Sequence, residues 1–295
     1  MQQHTILVTG GTGMLGHHVV ARLRDAGRKV RVLSRHIPND GIGNEEGIEF
    51  VVGDLTTDTG IDAAVDGAEI IVHCAGSAKG DGEKALNLVR AAARAGGLQH
   101  LVFISVVGAD KVPVVSGVDR AMFGYFASKL AAERVVADSG LPWTTLRATQ
   151  FYDLFLLVAR QMARLPVIPL PTGFRFQPVD ASEVAARLAE LALGAPIGLA
   201  PDIAGPRIYR TDELLHEYLR AIHKRRPTIP VWLPGKAARA IRDGANLSPN
   251  RAVGRQTWEE FLAERVGSGS PDDGAASRAA RPSAASEPGH ALNQR

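Results

Sequence analysis

The sequence predicts an α/β fold, a doubly wound parallel sheet carrying a small C-terminal substrate lobe. Three observations predict it. Through residue 150, short runs rich in Val, Ile and Leu alternate with segments of helical period, as in strand–helix–strand units of a parallel sheet. A glycine-rich loop joins the first run to the first helical segment. Beyond residue 150 prolines break the rhythm, so a second doubly wound domain is not expected.

In chain order, strands are expected at 5–9, 29–33, 48–52, 70–73, 100–104 and 144–147. They are apolar on both faces, as strands covered by helices on each side must be. Helices are expected at 14–26, 61–65, 83–95 and 125–139, with Gly27, Gly67, Gly96 and Gly140 placed to end them. In 83–95, Leu86, Val89 and Ala93 fall three and four apart, on one helical face. The lobe is expected to hold helices at 151–164, 182–193, 211–223 and 257–266, the second capped by Asp180 or Ser182. This divides the chain into a nucleotide-binding core (1–150), a lobe partly interleaved with it (151–266) and a tail (267–295). Of the 29 tail residues, 19 are Gly, Ala, Ser or Pro and the sole large aliphatic one is Leu292; such a segment is expected to be disordered.

Composition narrows the function. The chain has 295 residues, 45% apolar and 22% charged, with a net charge of +3. That charge is too small for a nucleic-acid binder of this length, and none is expected as a partner. The single cysteine, Cys74, excludes an internal disulfide and a cysteine-based zinc site, and no metal is expected. The first strand starts too near Met1 to leave room for a signal peptide, and no apolar run is long enough to span a bilayer. A cytoplasmic protein is the expectation.

The strongest motif is Thr9-Gly10-Gly11-Thr12-Gly13-Met14-Leu15-Gly16. It follows a strand, opens a helix and leads to a second strand, the context of a dinucleotide-binding loop. Glycine there permits a tight turn, close backbone approach to a pyrophosphate and close helix–strand packing. The helix N-terminus then offers N–H groups to phosphate. The second strand ends Leu33-Ser34-Arg35-His36 with no carboxylate for a ribose 2′-hydroxyl. Arg35 can pair with a 2′-phosphate and Ser34 can donate to it, so NADP(H) is expected over NAD(H). Asp54, in Gly53-Asp54-Leu55, can accept from an adenine amino group or cap a turn. Cys74-Ala75-Gly76 ends the fourth strand with residues small enough to lie against the cofactor.

With these motifs goes a family likeness. The chain resembles the short-chain dehydrogenase/reductases of the extended or atypical type, over about residues 4–266. The likeness rests on the glycine loop, Gly53-Asp54-Leu55, Phe103-Ile104-Ser105, Tyr125-Phe126-Ala127-Ser128-Lys129, and the stretch Ser139 to Arg147 followed by Gln150-Phe151-Tyr152. The last stretch is most similar to the NmrA-like NAD(P)H-binding branch, which includes quinone reductases, redox sensors that bind NADP without turnover, and relatives of an accessory subunit of respiratory complex I. The resemblance implies a Rossmann sheet of strand order 3-2-1-4-5-6.

Tyr125 and Lys129 are the candidate catalytic pair. Four apart in a helix, they share a face, and an ammonium beside a phenol lowers its pKa toward a useful acid/base range. Lys129 can also hold the nicotinamide ribose. In the resembling enzymes a Ser or Thr two positions beyond Ser105 orients the substrate carbonyl; here that residue is Val107, which cannot donate. The residues expected around the substrate are Val107, the 108–124 loop, Gln150, Phe151, Tyr152, Phe174 and Phe176, a set favouring an apolar or planar small molecule. Arg147 either meets a substrate anion or pairs with a carboxylate. The expected function is an NADP(H)-binding oxidoreductase reducing a small carbonyl or quinone. The alternatives are a non-catalytic redox sensor or accessory protein, and a sugar-nucleotide epimerase or dehydratase. Oligomeric state has no sequence signal.

Overall fold

The computed structural model describes residues 5–37, 47–77 and 79–267; the rest of the expected tail, 268–295, lies outside them. The first six strands are β1 (Thr5–Thr9), β2 (Lys29–Ser34), β3 (Ile48–Val52), β4 (Ala68–His73), β5 (His100–Val106) and β6 (Trp143–Ala148). A seventh, β9 (Gly198–Leu199), joins the same sheet, whose order is β3-β2-β1-β4-β5-β6-β9 with every pair parallel. This is the Rossmann order that the resemblance implies, extended by one short edge strand.

Helices cover both faces. On one lie α1 (Gly16–Asp25) and α6 (Ala181–Leu193); Val19, Leu23, Val184 and Leu188 pack with Ile6, Val8 and Val102 into one fully buried layer. On the other lie α2 (Ile61–Val65), α3 (Asp81–Ala95) and α4 (Gly117–Ala137); Ile61, Leu88 and Ala132 pack on Leu7, Ile71, Leu101 and Phe103. The chain thus returns to the sheet after entering the lobe, and α6 covers a face whose strands were made before residue 150. Asp180 caps α6, its Oδ1 accepting from the Ser182 and Glu183 amides.

The lobe holds α5 (Tyr152–Met162), α7 (Thr211–Ala221), α8 (Lys236–Arg242) and α9 (Trp258–Gly267). Two small sheets tie them: β7 (Ile168–Pro171) with β11 (Thr228–Val231), and β8 (Arg175–Phe176) with β10 (Tyr209–Arg210). Its core is a stack of Tyr152, Trp258 and Phe261, ring centroids 5.3–5.7 Å apart.

Two expectations are corrected here. The helix expected at 125–139 begins eight residues earlier, at Gly117. Ser116 starts it with a capping box: its Oγ accepts from the Asp119 amide at 3.0 Å, and Asp119 Oδ2 accepts from the Ser116 amide at 3.1 Å. Half of the expected 108–124 loop is therefore helix. Helix α8 was not anticipated; Asp119 Oδ1 accepts from the Ala237 amide in its first turn, a partner 118 residues away.

Candidate nucleotide-binding and active site

Because the strands are parallel, the loops after β1 to β6 collect at one edge of the sheet, where ligands of such folds sit. The glycine loop forms the floor. Gly10 has φ +70°, and a Cβ there would lie 2.6 Å from the Ala75 amide nitrogen. A Cβ on Gly16 would lie 2.0 Å from the Gly10 carbonyl oxygen. The loop therefore closes against both the end of β4 and the start of α1 only with glycine at these places. Gly13 donates back to the Gly10 carbonyl at 3.0 Å, leaving Thr12, Gly13 and Met14 exposed at the rim while Leu15 is core. No side chain caps α1 and its first turn has no acidic residue. An uncapped N-terminus free of negative charge is suited to a phosphate.

Along the rim, Arg35 is exposed, and among the described residues it has no salt-bridge partner. Ser34 donates its hydroxyl hydrogen to the His36 carbonyl at 2.8 Å, so it must rotate before it can donate to a phosphate. Asp54 Oδ1 accepts from the Thr56 amide at 2.8 Å, the turn-capping arrangement. Leu55 is buried, and its carbonyl accepts from Asn87 Nδ2 at 2.9 Å.

Beneath the end of β4 the polar groups are inward and neutral. His73 is fully buried, contacts Thr9 Oγ1 through Nδ1 at 2.7 Å and stacks on Phe103. Burial, reinforced by Lys129, lowers its pKa to about 3. Burial pushes the Cys74 thiol up to about 12, which excludes a thiolate nucleophile at neutral pH.

The candidate catalytic pair stands beside an unforeseen partner. Lys129 is 3% exposed; its Nζ lies 3.2 Å from Asp81 Oδ2, donates to the Ile104 carbonyl at 3.2 Å, and lies 5.8 Å from the Tyr125 ring centroid. Asp81 is fully buried at the start of α3, and its Oδ1 accepts from the Ser77 amide at 2.8 Å. The Asp81 amide donates to Ser128 Oγ at 3.0 Å, which pins α3 to the helix bearing Lys129. Lys84 Nζ completes the cluster at 3.5 Å. Gly76 makes room for it: a Cβ there would lie 3.0 Å from Lys129 Nζ. Asp81 supplies the countercharge that a buried ammonium needs. Burial lowers the Lys129 pKa, and Asp81 opposes that shift.

Asp81 also changes the argument about Tyr125. Its phenol pKa is raised, first by desolvation and then by Asp81, not lowered by Lys129. The lysine's field is offset by the carboxylate that accompanies it.

Val107 is buried, its amide donating to the Ala148 carbonyl at 2.9 Å, so no hydroxyl stands at that position. Ser105 Oγ is buried and, among the described residues, unpaired, as are both amide atoms of Gln150. Arg147 forms a bidentate pair with Glu133 at 2.7 and 2.9 Å and meets Asp110 at 2.9 Å; of its two readings, the carboxylate pairing is the one present. Tyr152 and Phe174 do not line the crevice: Tyr152 is fully buried and donates to the Gln256 carbonyl, and Phe174 packs between Phe123 and Phe176. Among the described residues no cluster of His, Cys, Asp or Glu could hold a metal, and no helix is long and apolar enough to cross a membrane. A cleft of about 290 Å³ lined by Arg28, Gln99 and His100 lies at the opposite edge of the sheet and takes no part in this site.

Fold and site together define a nucleotide-binding α/β protein of Rossmann type. Comparison makes this specific: the NAD(P)H-binding family model matches residues 10–154. The ceramide reductase of Caulobacter vibrioides is 30% identical over 211 residues, which are 66% of this chain and 62% of that protein. The chain spans less than two thirds of the length of the curated relatives it matches. Among solved structures, an NADPH-dependent quinone oxidoreductase of Escherichia coli in complex with NADPH is similar at TM-score 0.73 and 19% identity, covering 88% of this chain and 99% of that one. A UDP-glucose 4-epimerase of Thermus thermophilus in complex with NAD is similar at TM-score 0.67 and 21% identity, covering 90% and 100%. At these identities the structures share the fold.

Proposed function

We propose that the protein is an NADP(H)-dependent reductase of a small, apolar or planar carbonyl or quinone compound. The observation that carries this reading is the crevice edge itself. A glycine cradle too tight for a Cβ at Gly10, Gly11 or Gly16 and an uncapped α1 N-terminus face the side of the sheet where Lys129 is held by Asp81 beside Tyr125. Gly10, Thr12, Gly13, Met14 and Gly16 would hold the pyrophosphate, Arg35 and Ser34 the 2′-phosphate, and Asp54 and Leu55 the adenine. Cys74, Ala75 and Gly76 would back the nicotinamide half. The relatives named as reductases and the family match support an enzyme.

When bound, the nicotinamide supplies a hydride. This chain's residues do the rest. Lys129 orients the ribose, and Tyr125 offers its proton toward the reduced oxygen. A raised phenol pKa makes Tyr125 a weak acid, and Val107 leaves the carbonyl without a hydroxyl donor. Both features suit a quinone, whose reduced oxygens are far less basic than an alkoxide and need less proton donation. They also favour, as second reading, a nucleotide-binding sensor without turnover. Tyr125→Phe tests the residue: kcat for an aldehyde should fall roughly 10²-fold or more, with NADPH binding unchanged. Equal turnover in the variant removes Tyr125 from the mechanism. We place the protein in the cytoplasm, where a single free cysteine stays reduced.

A further inference from the structure

Helix α5 leaves the sheet two residues after Gln150 and presents an apolar stripe to solvent. Leu154, Leu157 and Val158, three and four apart, are 45%, 39% and 39% exposed, and Leu165 and Val167 continue the stripe at 42% and 40%. Apolar residues exposed singly are ordinary; five in sequence along one helix and its following turn are a surface that something covers. Next to the stripe lies a basic one. The Ile168 amide donates to the Pro227 carbonyl at 2.9 Å, and β7 pairs with β11 from Ile168 and Thr228 onward. That pairing brings Pro227 against Ile168, so the chain enters it through Lys224-Arg225-Arg226 on one strand and Leu165-Pro166-Val167 on the other. Lys224, Arg225 and Arg164 are exposed, and among the described residues none of the three has a salt bridge. The one acidic residue of α5, Asp153, is engaged by Arg265 at 3.6 Å.

We propose that this face of the lobe docks on an anionic lipid surface, the leucines and valines entering the headgroup boundary and the Lys224–Arg226 cluster meeting the lipid phosphates. An apolar stripe edged by cations is the pattern of a segment lying in a bilayer interface. A second copy of the chain fits less well, because its α5 offers the basic cluster only Asp153, which Arg265 already engages. The C-terminal tail fits less well too, since one leucine in 29 residues cannot fill five apolar positions. The inference stands apart from the reductase reading and does not require it.

The test is vesicle flotation of the full chain with phosphatidylcholine vesicles, alone or with one quarter phosphatidylglycerol. The chain should float with the anionic vesicles, stay down with the neutral ones, and be released at 1 M salt, where the Debye length is about 3 Å. Lys224→Gln with Arg225→Gln should lower partition roughly 25-fold, at about fivefold per charge. Leu157→Ser with Val158→Ser should lower it roughly tenfold. Arg90→Gln with Arg134→Gln, exposed on α3 and α4, removes the same charge and should change nothing. All three double variants should melt with the parent. No flotation with anionic vesicles, or a control as weak as the Lys224/Arg225 variant, overturns the proposal. So does sedimentation velocity showing a dimer that Leu157→Ser/Val158→Ser dissolves while the parent binds no vesicle.

Discussion

Asp81→Ala should destabilise the fold more than any exposed substitution in the site. The residue is fully buried and its main partner, Lys129, is 3% exposed. Without the carboxylate, Lys129 keeps its hydrogen bond to the Ile104 carbonyl and, among the described residues, no countercharge within contact; Lys84, 15% exposed at its side chain, can turn to water. Removing one member of a buried pair costs about 3–5 kcal/mol, which lowers Tm by roughly 10 °C in a chain of this size. The pH dependence has a definite sign. Burial already depresses the Lys129 pKa, and Asp81 limits the depression. In the variant the folded pKa falls further below the unfolded value of about 10.4. Between those two values the unfolded chain binds more protons than the native one, so stability rises with pH. Urea titration at pH 7 and pH 9 should show the variant recovering part of its loss at the higher pH, with the parent changing less. A variant within about 0.5 kcal/mol of the parent at pH 7 refutes the argument that Asp81 compensates Lys129.

Other outcomes follow from the same geometry. His73 is buried neutral with a pKa near 3, below its unfolded value, so stability should fall by up to about 1.4 kcal/mol per unit as pH drops from 6.5 toward 3; His73→Gln should flatten that slope in acid titrations. Gly16→Ala must move the Gly10 carbonyl, 2.0 Å from the new Cβ, and should cost about 1–3 kcal/mol by urea unfolding and abolish nucleotide binding. Arg35→Ala should weaken NADPH roughly 10- to 100-fold by calorimetry and leave NADH unchanged; equal losses for both nucleotides would remove Arg35 from the 2′-phosphate.

The strands at the centre of the sheet were legible because they are buried on both faces, and half-buried β3 because its residues are still mostly apolar. Their Val, Ile and Leu runs place β1 to β6 within two residues of the observed bounds. The glycine loop was legible because the motif encodes its own geometry: Gly10, Gly11 and Gly16 sit where a Cβ would collide with neighbouring backbone or side chain. What remained hidden depends on partners distant in sequence. Asp81 meets Lys129 across 48 residues, and nothing in Gly80-Asp81-Gly82-Glu83 separates it from an ordinary helix-starting acid. The early start of α4 depends on Asp119, whose second oxygen is anchored by α8; Gly117 and Gly124 argue locally against helix. The two-residue strands β8 and β10 exist only through each other. Tyr152 was expected in the crevice because it follows Gln150, but one helical step turns it onto Trp258 and Phe261.

In the proposed reaction a nucleotide held by the Gly10–Gly16 loop gives its hydride to a small acceptor. Its most direct measurement is NADPH oxidation, followed by absorbance, with a panel of quinones and aldehydes, alongside calorimetric NADPH binding. Saturable oxidation with at least one quinone is expected, lost in Gly16→Ala and diminished in Lys129→Ala. Tight NADPH binding with no oxidation by any acceptor would contradict it and leave the sensor reading in its place.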